Sequence, residues 1–394
     1  MDPRENPYSP GAGTRPPALT GRDAELDDFD VLLSRLARGQ TGRSMIVSGL
    51  RGVGKTVLLN TFEGMAQERG WYTAAREVTT ETSLPEEVAR IARRALATLS
   101  VGRRMRERVS ATFAALSAFT LATADGTELS FDPRALRRLS TADLGEDLAD
   151  ILTVLAEAAL SKDKGVLILL DEAQFLVRTE LEALLAGIHR VNQRELPLAV
   201  VGAGLPQLPR LAAEAKSYAE RLFTFPQIGR LASGAAADAL VIPAARRDVR
   251  FEDEALTRIL ALADRYPYFL QEYGSTVWNV ARGTIIELSD VETAQRVVTE
   301  RLDQGFFRVR FERATAQERR YMAALAELGD GPQRTGEVAK LLGKPATTLS
   351  PLRDALIKKG LVYSPEHGEL DFTVPHFAPF MRRVMPLGRR RPRS

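Results

Sequence analysis

The chain has 394 residues, of which 44% are apolar and 27% charged, a balance that excludes a mostly disordered or fibrous protein and suits about two or three domains. It has no cysteine and three widely separated histidines, which excludes disulfides, thiolate zinc sites and thiol nucleophiles and fits the reducing cytoplasm. The net charge of +3 is uneven, because residues 301–394 carry +8 and the rest −5. This basic third predicts either a polyanionic partner or a solvated basic face.

The first elements predict a βαβ unit. Residues 1–18 are rich in proline and read as an extended arm, and a helix with one apolar face follows from residue 21. A strand at 44–48, a glycine-rich turn, a helix at 57–69 and a strand at 71–78 come next. This order implies a parallel sheet, and therefore an α/β fold.

The remaining chain divides into further segments. We expect the core around the parallel sheet to span 19–232, with a mainly helical insertion at 79–164 that contains a hairpin around residues 125–126. Apolar runs at 166–170 and 198–201 predict buried strands. Residues 233–300 read as helices only, within a helical segment expected at 233–312 and called the lid. A compact module at 313–386 and a basic tail at 387–394 follow. No apolar stretch reaches the roughly 18 residues of a membrane span, and no secretory signal is expected.

One loop fits the pattern G-x-x-x-x-G-K-[ST]. Its glycines let successive backbone N–H groups surround a phosphate, and the helix that follows presents its positive N-terminal end to the same anion. Lys55 would reach the β- and γ-phosphates of ATP, and the Thr56 hydroxyl would ligate Mg²⁺. The alternative is a chance glycine turn. The predicted ATP-binding residues of this loop are Gly49, Leu50, Arg51, Gly52, Val53, Gly54, Lys55, Thr56 and Val57.

Two acids follow the strand at 166–170. Asp171 would hold Mg²⁺ at the end of the strand, and Glu172 would polarise the attacking water. An acidic pair after a strand is otherwise often only a turn. Next to a phosphate loop it predicts ATP hydrolysis as well as binding.

With both motifs the chain resembles the AAA+ P-loop ATPases, in particular the origin-recognition-like branch and the archaeal-type ATPases related to the signal-transduction (STAND) NTPases. The resemblance covers roughly residues 16–385 and implies a parallel-sheet P-loop core, a helical lid and a C-terminal winged helix. It also implies that the segment 17–22 packs near the adenine, although a helix cap with a proline-rich lead-in explains the segment equally well.

The resemblance implies three further features. The sensor strand, residues 198–205, ends in glycines, so no side chain of its own can contact the γ-phosphate. Arg221 matches the arginine finger that offsets charge on the γ-phosphoryl group, in cis or from a neighbouring subunit, or it is a surface arginine. Pro267 matches a glycine-x-proline of the lid, but Arg265 occupies the glycine position.

The C-terminal module shows three helices and a hairpin, and it resembles the winged helix that follows the lid in origin-recognition-like ATPases. Pro351 is expected to shorten the third helix, 347–359, to one that starts at the proline. Sequence-specific reading of DNA is not predicted, because this helix lacks side chains for base edges on its leading turn. Winged helices also dock proteins. The predicted DNA phosphate contacts are Lys344, Arg353, Lys358 and Lys359, with the basic tail in addition.

Two functions remain open. The first is an ATPase that couples ATP binding and hydrolysis to DNA association through the winged helix. The second is a STAND-like signalling switch whose winged helix docks a protein or autoinhibits. A homo-oligomer fits either function, and residues 306–311 could form the joint between lid and module, or simply packed core.

Overall fold

The computed structural model describes residues 1–387 except 12, 100–101, 106, 108–118, 122–128 and 132–140. The turn of the predicted hairpin and the predicted basic tail beyond residue 387 lie outside the described residues. The labelled helices are α1 Asp23–Ala37, α2 Lys55–Glu68, α3 Leu84–Leu99, α4 Thr141–Leu160, α5 Arg178–Gln193, α6 Leu208–Ala215, α7 Ala219–Leu222, α8 Ser233–Ala245, α9 Asp253–Leu262, α10 Pro267–Val280, α11 Leu288–Arg301, α12 Arg308–Glu312, α13 Ala316–Glu327, α14 Thr335–Leu342, α15 Ala346–Lys358 and α16 Phe377–Val384. The strands are β1 Ser44–Ser48, β2 Tyr72–Glu77, β3 Phe119–Leu121, β4 Leu129–Phe131, β5 Val166–Asp171, β6 Leu198–Gly204, β7 Phe223–Thr224, β8 Arg250–Phe251, β9 Ile285–Ile286, β10 Gln333–Arg334, β11 Val362–Tyr363 and β12 Glu369–Phe372.

A five-stranded parallel sheet in the order β2-β5-β6-β1-β7 forms the centre of the nucleotide core. Every residue of β1 and β6 is buried, as expected for parallel strands that helices cover on both faces. The predicted α/β fold with a P-loop core is therefore confirmed. Because the strands are parallel, their carboxyl ends, which carry the candidate site, meet at one edge.

Alternate side chains of the sheet pack into two hydrophobic cores. Leu167 and Leu169 belong to the first core, which continues through α1, α2, the lid and the C-terminal module. Ile168 and Leu170 belong to the second core, which packs against α3 to α7. The period of two along the strand produces this division.

The lid contains more than helices. Helices α8 to α11 were predicted, but β8 and β9 pair in parallel between them. The prediction of helices only is wrong here, because two-residue strands are too short to show a periodic pattern. None of the described helices is long and apolar enough to cross a membrane.

The C-terminal module, residues 313–386, combines α13 to α16 with a three-stranded sheet in the order β10-β12-β11. Strand β10 is an addition to the predicted hairpin. Helix α15 begins at Ala346, so the expected shortening at Pro351 is wrong. Pro351 removes only one N–H from the helix, and the Ser350 hydroxyl donates to the Ala346 carbonyl at 3.1 Å, which closes the first turn.

Candidate nucleotide site

The glycine-rich loop joins β1 to α2, as predicted. Gly52 and Gly54 have φ values of +85° and +95°, in the left-handed region that glycine adopts without strain. Helix α2 begins at Lys55 and directs its unpaired N–H groups and positive dipole towards the loop. The loop is therefore built to receive an anion.

Lys55 lies at the floor of this loop and is only 6% exposed. Its ammonium donates to the carbonyl oxygens of Gly49, at 3.1 Å, and Leu50, at 2.9 Å. Burial lowers the pKa of Lys55 to about 8, and the charges of Glu172 and Asp171 oppose this shift. A phosphate would supply the negative charge that this buried cation favours.

The two predicted magnesium ligands are in direct contact. The Thr56 hydroxyl donates to Oδ2 of Asp171 at 2.5 Å, and Oδ1 of Asp171 accepts from the Glu172 backbone N–H at 2.8 Å. The part of the chain that the structure describes has no group of three His, Cys, Asp or Glu residues suited to a metal. Mg²⁺ bound with a nucleotide needs only one or two protein oxygens, because phosphates and water complete its shell. Thr56 and Asp171 fit this requirement.

Glu172 follows β5 and has φ +53°. Its carboxylate forms a two-pronged ion pair with Arg51, at 3.0 Å from Nη1 to Oε1 and 3.2 Å from Nη2 to Oε2. The side-chain amide of Gln174 donates to the same Oε2 at 2.5 Å. Both carboxylate oxygens are therefore engaged by protein donors.

Gln174 is a site residue that sequence reasoning missed. Its Oε1 accepts from the backbone N–H of Leu205 at 3.1 Å, so the side chain joins the sensor strand to Glu172. A Cβ at Gly204 would lie 2.4 Å from that Oε1. The glycine was predicted to leave the end of the strand without a polar side chain. It also leaves space for the Gln174 side chain, which comes from the turn after the neighbouring strand β5.

A cavity of about 570 Å³ opens above the loop. The lid contributes Tyr268 and Gln271 to its lining, and α12 contributes Arg310, which the sequence did not single out as a site residue. The guanidinium of Arg310 lies 4.0 Å above the centre of the Phe306 ring. Burial, together with the charge of Arg51, lowers the pKa of Arg310 to about 10. Cationic side chains therefore line the cavity from both the core and the lid.

The N-terminal arm lies along α10 and forms one wall of the cavity. Tyr8 is 4% exposed, donates its hydroxyl to the Leu240 carbonyl at 2.5 Å and packs against Gly274. The segment 17–22 lines the cavity through Ala18, Leu19, Thr20 and Arg22. Arg22 also donates to the Val53 carbonyl at 3.1 Å, so this segment holds the loop in place.

The start of α10 has the backbone conformation of a glycine-x-proline segment. Arg265 has φ +54°, which is the conformation that glycine favours, and Pro267 opens the helix. Between them, the Tyr266 hydroxyl donates to the Arg51 carbonyl. The lid therefore bonds directly to the phosphate loop.

Residues 18–201 match the family described as AAA ATPase domain, and residues 304–381 match a Domain of unknown function (DUF8462). The phosphate loop, Asp171 and Glu172 all lie within the matched residues 18–201, and this segment is called the AAA ATPase domain after the match.

Several solved structures resemble the chain at low identity. An Aeropyrum pernix Orc1 protein in complex with DNA shares 18% identity, with 93% of each chain covered and a TM-score of 0.44. A Thermotoga maritima RuvB Holliday junction branch migration motor shares 17%, with 89% of this chain and 92% of that chain covered and a TM-score of 0.45. Cdc6p from Pyrobaculum aerophilum shares 14%, with 97% of each chain covered and a TM-score of 0.45. No protein of curated function matches the chain.

Arg221 lies apart from the cavity of the AAA ATPase domain. It is exposed and lines a second cavity, of about 660 Å³, together with Arg35 and Arg43. Among the described residues that line the nucleotide cavity, Arg221 is absent. The geometry thus gives no support to an arginine finger in cis.

The C-terminal module contacts the phosphate loop. The backbone N–H of Arg51 donates to the Thr373 carbonyl at 3.0 Å. A Cβ at Gly360, just after α15, would lie 2.8 Å from Nη2 of Arg51. The end of the candidate recognition helix is therefore packed on the AAA ATPase domain.

The four predicted DNA contacts have different surroundings. Lys344 and Lys358 are exposed near opposite ends of α15. Arg353 pairs with its neighbour Asp354 at 2.9 Å. The Lys359 ammonium instead pairs with the buried Glu318 at 2.6 Å. The two exposed lysines are the ones immediately accessible to a polyanion.

Proposed function

We propose that the chain binds ATP with Mg²⁺ in the cavity and hydrolyses it. Mg²⁺, when bound with the nucleotide, would neutralise phosphate charge. Lys55 and the N–H groups of the loop bind the β- and γ-phosphates, Thr56 and Asp171 hold the ion, and Glu172 orients and polarises the attacking water. The buried, cationic Lys55 beside two carboxylates at the carboxyl edge of the sheet supports these roles.

The proposal extends to coupling with DNA. We infer that the C-terminal module acts as a winged helix of the origin-recognition-like type and that ATP changes its placement and hence its DNA affinity. The observation that carries this coupling is the hydrogen bond between the Arg51 N–H and the Thr373 carbonyl. A change in the loop when it binds a ligand would therefore alter this hydrogen bond and the placement of the module. Lys344, Lys358 and Arg353 would contact phosphates, independently of base sequence.

The test measures the affinity for arbitrary duplex DNA with ATP-Mg²⁺, with ADP and without nucleotide, at one salt concentration. The proposal expects the three affinities to differ, by about tenfold or more if the nucleotide biases the two arrangements by about 1.4 kcal/mol. Lys55→Ala is the matched control and should respond to none of the nucleotides. ATP turnover with and without the same DNA gives the second readout. Equal DNA affinities in all three conditions contradict the coupling.

A signalling switch with a protein partner is the second candidate. The internal pairing of Lys359 with Glu318, and of Arg353 with Asp354, favours it, because these cations are already engaged. Salt distinguishes the two candidates. If the module binds DNA through phosphate contacts, its DNA affinity falls steeply as the salt concentration rises. If its partner is a protein, no DNA binding is expected even at low salt.

We further propose that Arg221 acts, if anywhere, from a neighbouring subunit of a homo-oligomer. Its exposed position away from its own nucleotide cavity suits this role. Mixing Arg221→Ala chains with Glu172→Gln chains tests it. Partial recovery of turnover in the mixed oligomer is expected, because some interfaces then combine an intact finger with an intact Glu172.

A further inference from the structure

The Glu172 carboxylate is held in a way that opposes its proposed task. A general base must offer a free oxygen to the attacking water, and an oxygen that accepts from an arginine is not free. Here Arg51 engages both oxygens, and Gln174 adds a third bond at Oε2. A two-pronged arginine–carboxylate pair is among the strongest polar contacts in proteins, particularly when it is shielded from water. The side chains of Arg51 and Glu172 are 23% and 16% exposed.

Arg51 is in turn held by groups outside the AAA ATPase domain. Its backbone N–H donates to Thr373 of the C-terminal module, and its carbonyl accepts from the Tyr266 hydroxyl of the lid segment. Thr373 is fully buried, and its hydroxyl donates to the Gly360 carbonyl at 2.8 Å. The two residues of the module that contact Arg51 are therefore hydrogen-bonded to each other.

The module also confines the guanidinium. Gly360 has φ +63°, and a Cβ there would lie 2.8 Å from Nη2 of Arg51, so only glycine leaves the group its present position. If the module moves away, the Arg51 N–H loses its acceptor and the guanidinium gains space. Arg51 also lines the nucleotide cavity, where Arg310 repels it and incoming phosphates would attract it.

We propose that Arg51 is an inhibitory positioning residue: it withholds Glu172 from the attacking water while the C-terminal module is docked, and it releases Glu172 when the module moves. This rests on the proposed ATP hydrolysis through Glu172. A partner that draws the module away, whether DNA or protein, then increases hydrolysis through Arg51 rather than through a new contact with the nucleotide.

The test is single-turnover hydrolysis at saturating ATP-Mg²⁺, which reports the chemical step rather than product release. Arg51→Met removes the charge and keeps the stem, and the rate should rise roughly tenfold, the scale of one charge-assisted hydrogen bond. Arg51→Lys keeps the charge without the two parallel bonds and should give a smaller rise. In the Glu172→Gln background neither change should have an effect. ATP affinity, measured with a fluorescent analogue, should change much less than the rate.

The module side has its own variant. Gly360→Ala places a methyl group against the Arg51 guanidinium and should raise the rate in the same direction. Gly368→Ala is the matched control, because Gly368 lies in the same module with φ +82° but has open space around it. It carries similar backbone strain without touching Arg51, and its rate should equal that of the unaltered chain. These two variants also keep the proposal testable if Arg51→Met does not fold.

The outcomes separate this inference from the proposed function. If the unaltered chain hydrolyses ATP through Glu172 and Arg51→Met leaves the rate unchanged or lowers it, Arg51 does not inhibit, and only the inference fails. Equal rates for Gly360→Ala and Gly368→Ala remove the role of the module. If no variant hydrolyses ATP despite binding that depends on Lys55, the proposed hydrolysis fails and the inference with it.

Discussion

The two faces of the central sheet serve different purposes. Among the described residues, the second core packs against α3 to α7 and contains no residue of the lid or of the C-terminal module. The first core begins at Tyr8 of the arm, passes α1 and α2, and runs without interruption through the lid into the C-terminal module. The lid residues that line the candidate nucleotide cavity pack against the first core, whose packing continues into the C-terminal module.

Aromatic side chains carry the first core from the cavity to the module. Tyr268, at the cavity, stacks on Phe306 with ring centres 4.6 Å apart. Phe307 in turn packs on Phe377 and Phe380 of the module, at 5.8 Å and 5.4 Å. The segment that was predicted to be a joint is thus also packed core. A change at Tyr268 can therefore reach the module by repacking these rings.

Loss of Lys55 should have the largest effect, because neither face of the sheet can then respond to ATP. Lys55→Ala removes the cation of the phosphate loop, and we expect ATP affinity to fall below detection in a calorimetric titration. The circular dichroism spectrum of this variant should match that of the unaltered chain. Undiminished binding would refute the assignment of the phosphate loop.

Glu172→Gln should separate binding from chemistry. The amide keeps the shape of the side chain but cannot act as a base, so the hydrolysis rate should fall by about 10² to 10⁴. ATP affinity should persist, and ATP should still change the hydrogen exchange of the C-terminal module. Unchanged turnover would mean that another group polarises the water.

A pair of core substitutions compares the two faces directly. Phe307→Ala in the first core and Leu152→Ala in the second should each lower the free energy of unfolding by about 3 kcal/mol, because both side chains are at least 98% buried. Only Phe307→Ala should also weaken the effect of ATP on hydrogen exchange in the module. If Leu152→Ala weakens this effect of ATP equally, the first core has no special role in linking the cavity to the module.

The pH dependence should show the smallest effect. The pKa of Lys55 is lowered to about 8, so the free protein loses this cation as pH rises through 8 and must regain a proton to bind phosphate. ATP affinity should be constant below pH 8 and fall above it, by at most about tenfold per pH unit. The folded chain also binds fewer protons at Lys55 than the unfolded chain, so this group makes stability rise with pH above 8. Lys55→Arg should abolish the change in affinity.

The sequence predicted the parts of the site that are local in the chain. The loop residues and Asp171 with Glu172 were recognisable because each set is contiguous and follows an apolar strand. The pair between Arg51 and Glu172 was not predicted, because it joins residues from two separate motifs. Gln174 was missed because its role depends on a gap at Gly204, which only the pairing of strands creates.

The docking of the arm was also beyond prediction. A proline-rich segment shows no periodic pattern, and its partners lie far away in the chain: Asn6 bonds to Asn279, and the Trp278 indole donates to the Asp2 carbonyl. Arg310 was missed for a similar reason. Nothing in its neighbourhood in the sequence indicates that the turn of α12 brings it to the cavity.

The link between α11 and α12 has a mechanical consequence. Residues Leu302–Phe307 form a π-helix, whose hydrogen bonds span one residue more than those of an α-helix. If that extra residue were released and α-helical bonding restored, every later side chain would turn by about 100° around the helix axis. Arg310 would then turn out of the cavity. The C-terminal module, which follows α12 in the chain, would rotate with it. A change in winding by a single residue would thus act as a rotary step between ATP and the module.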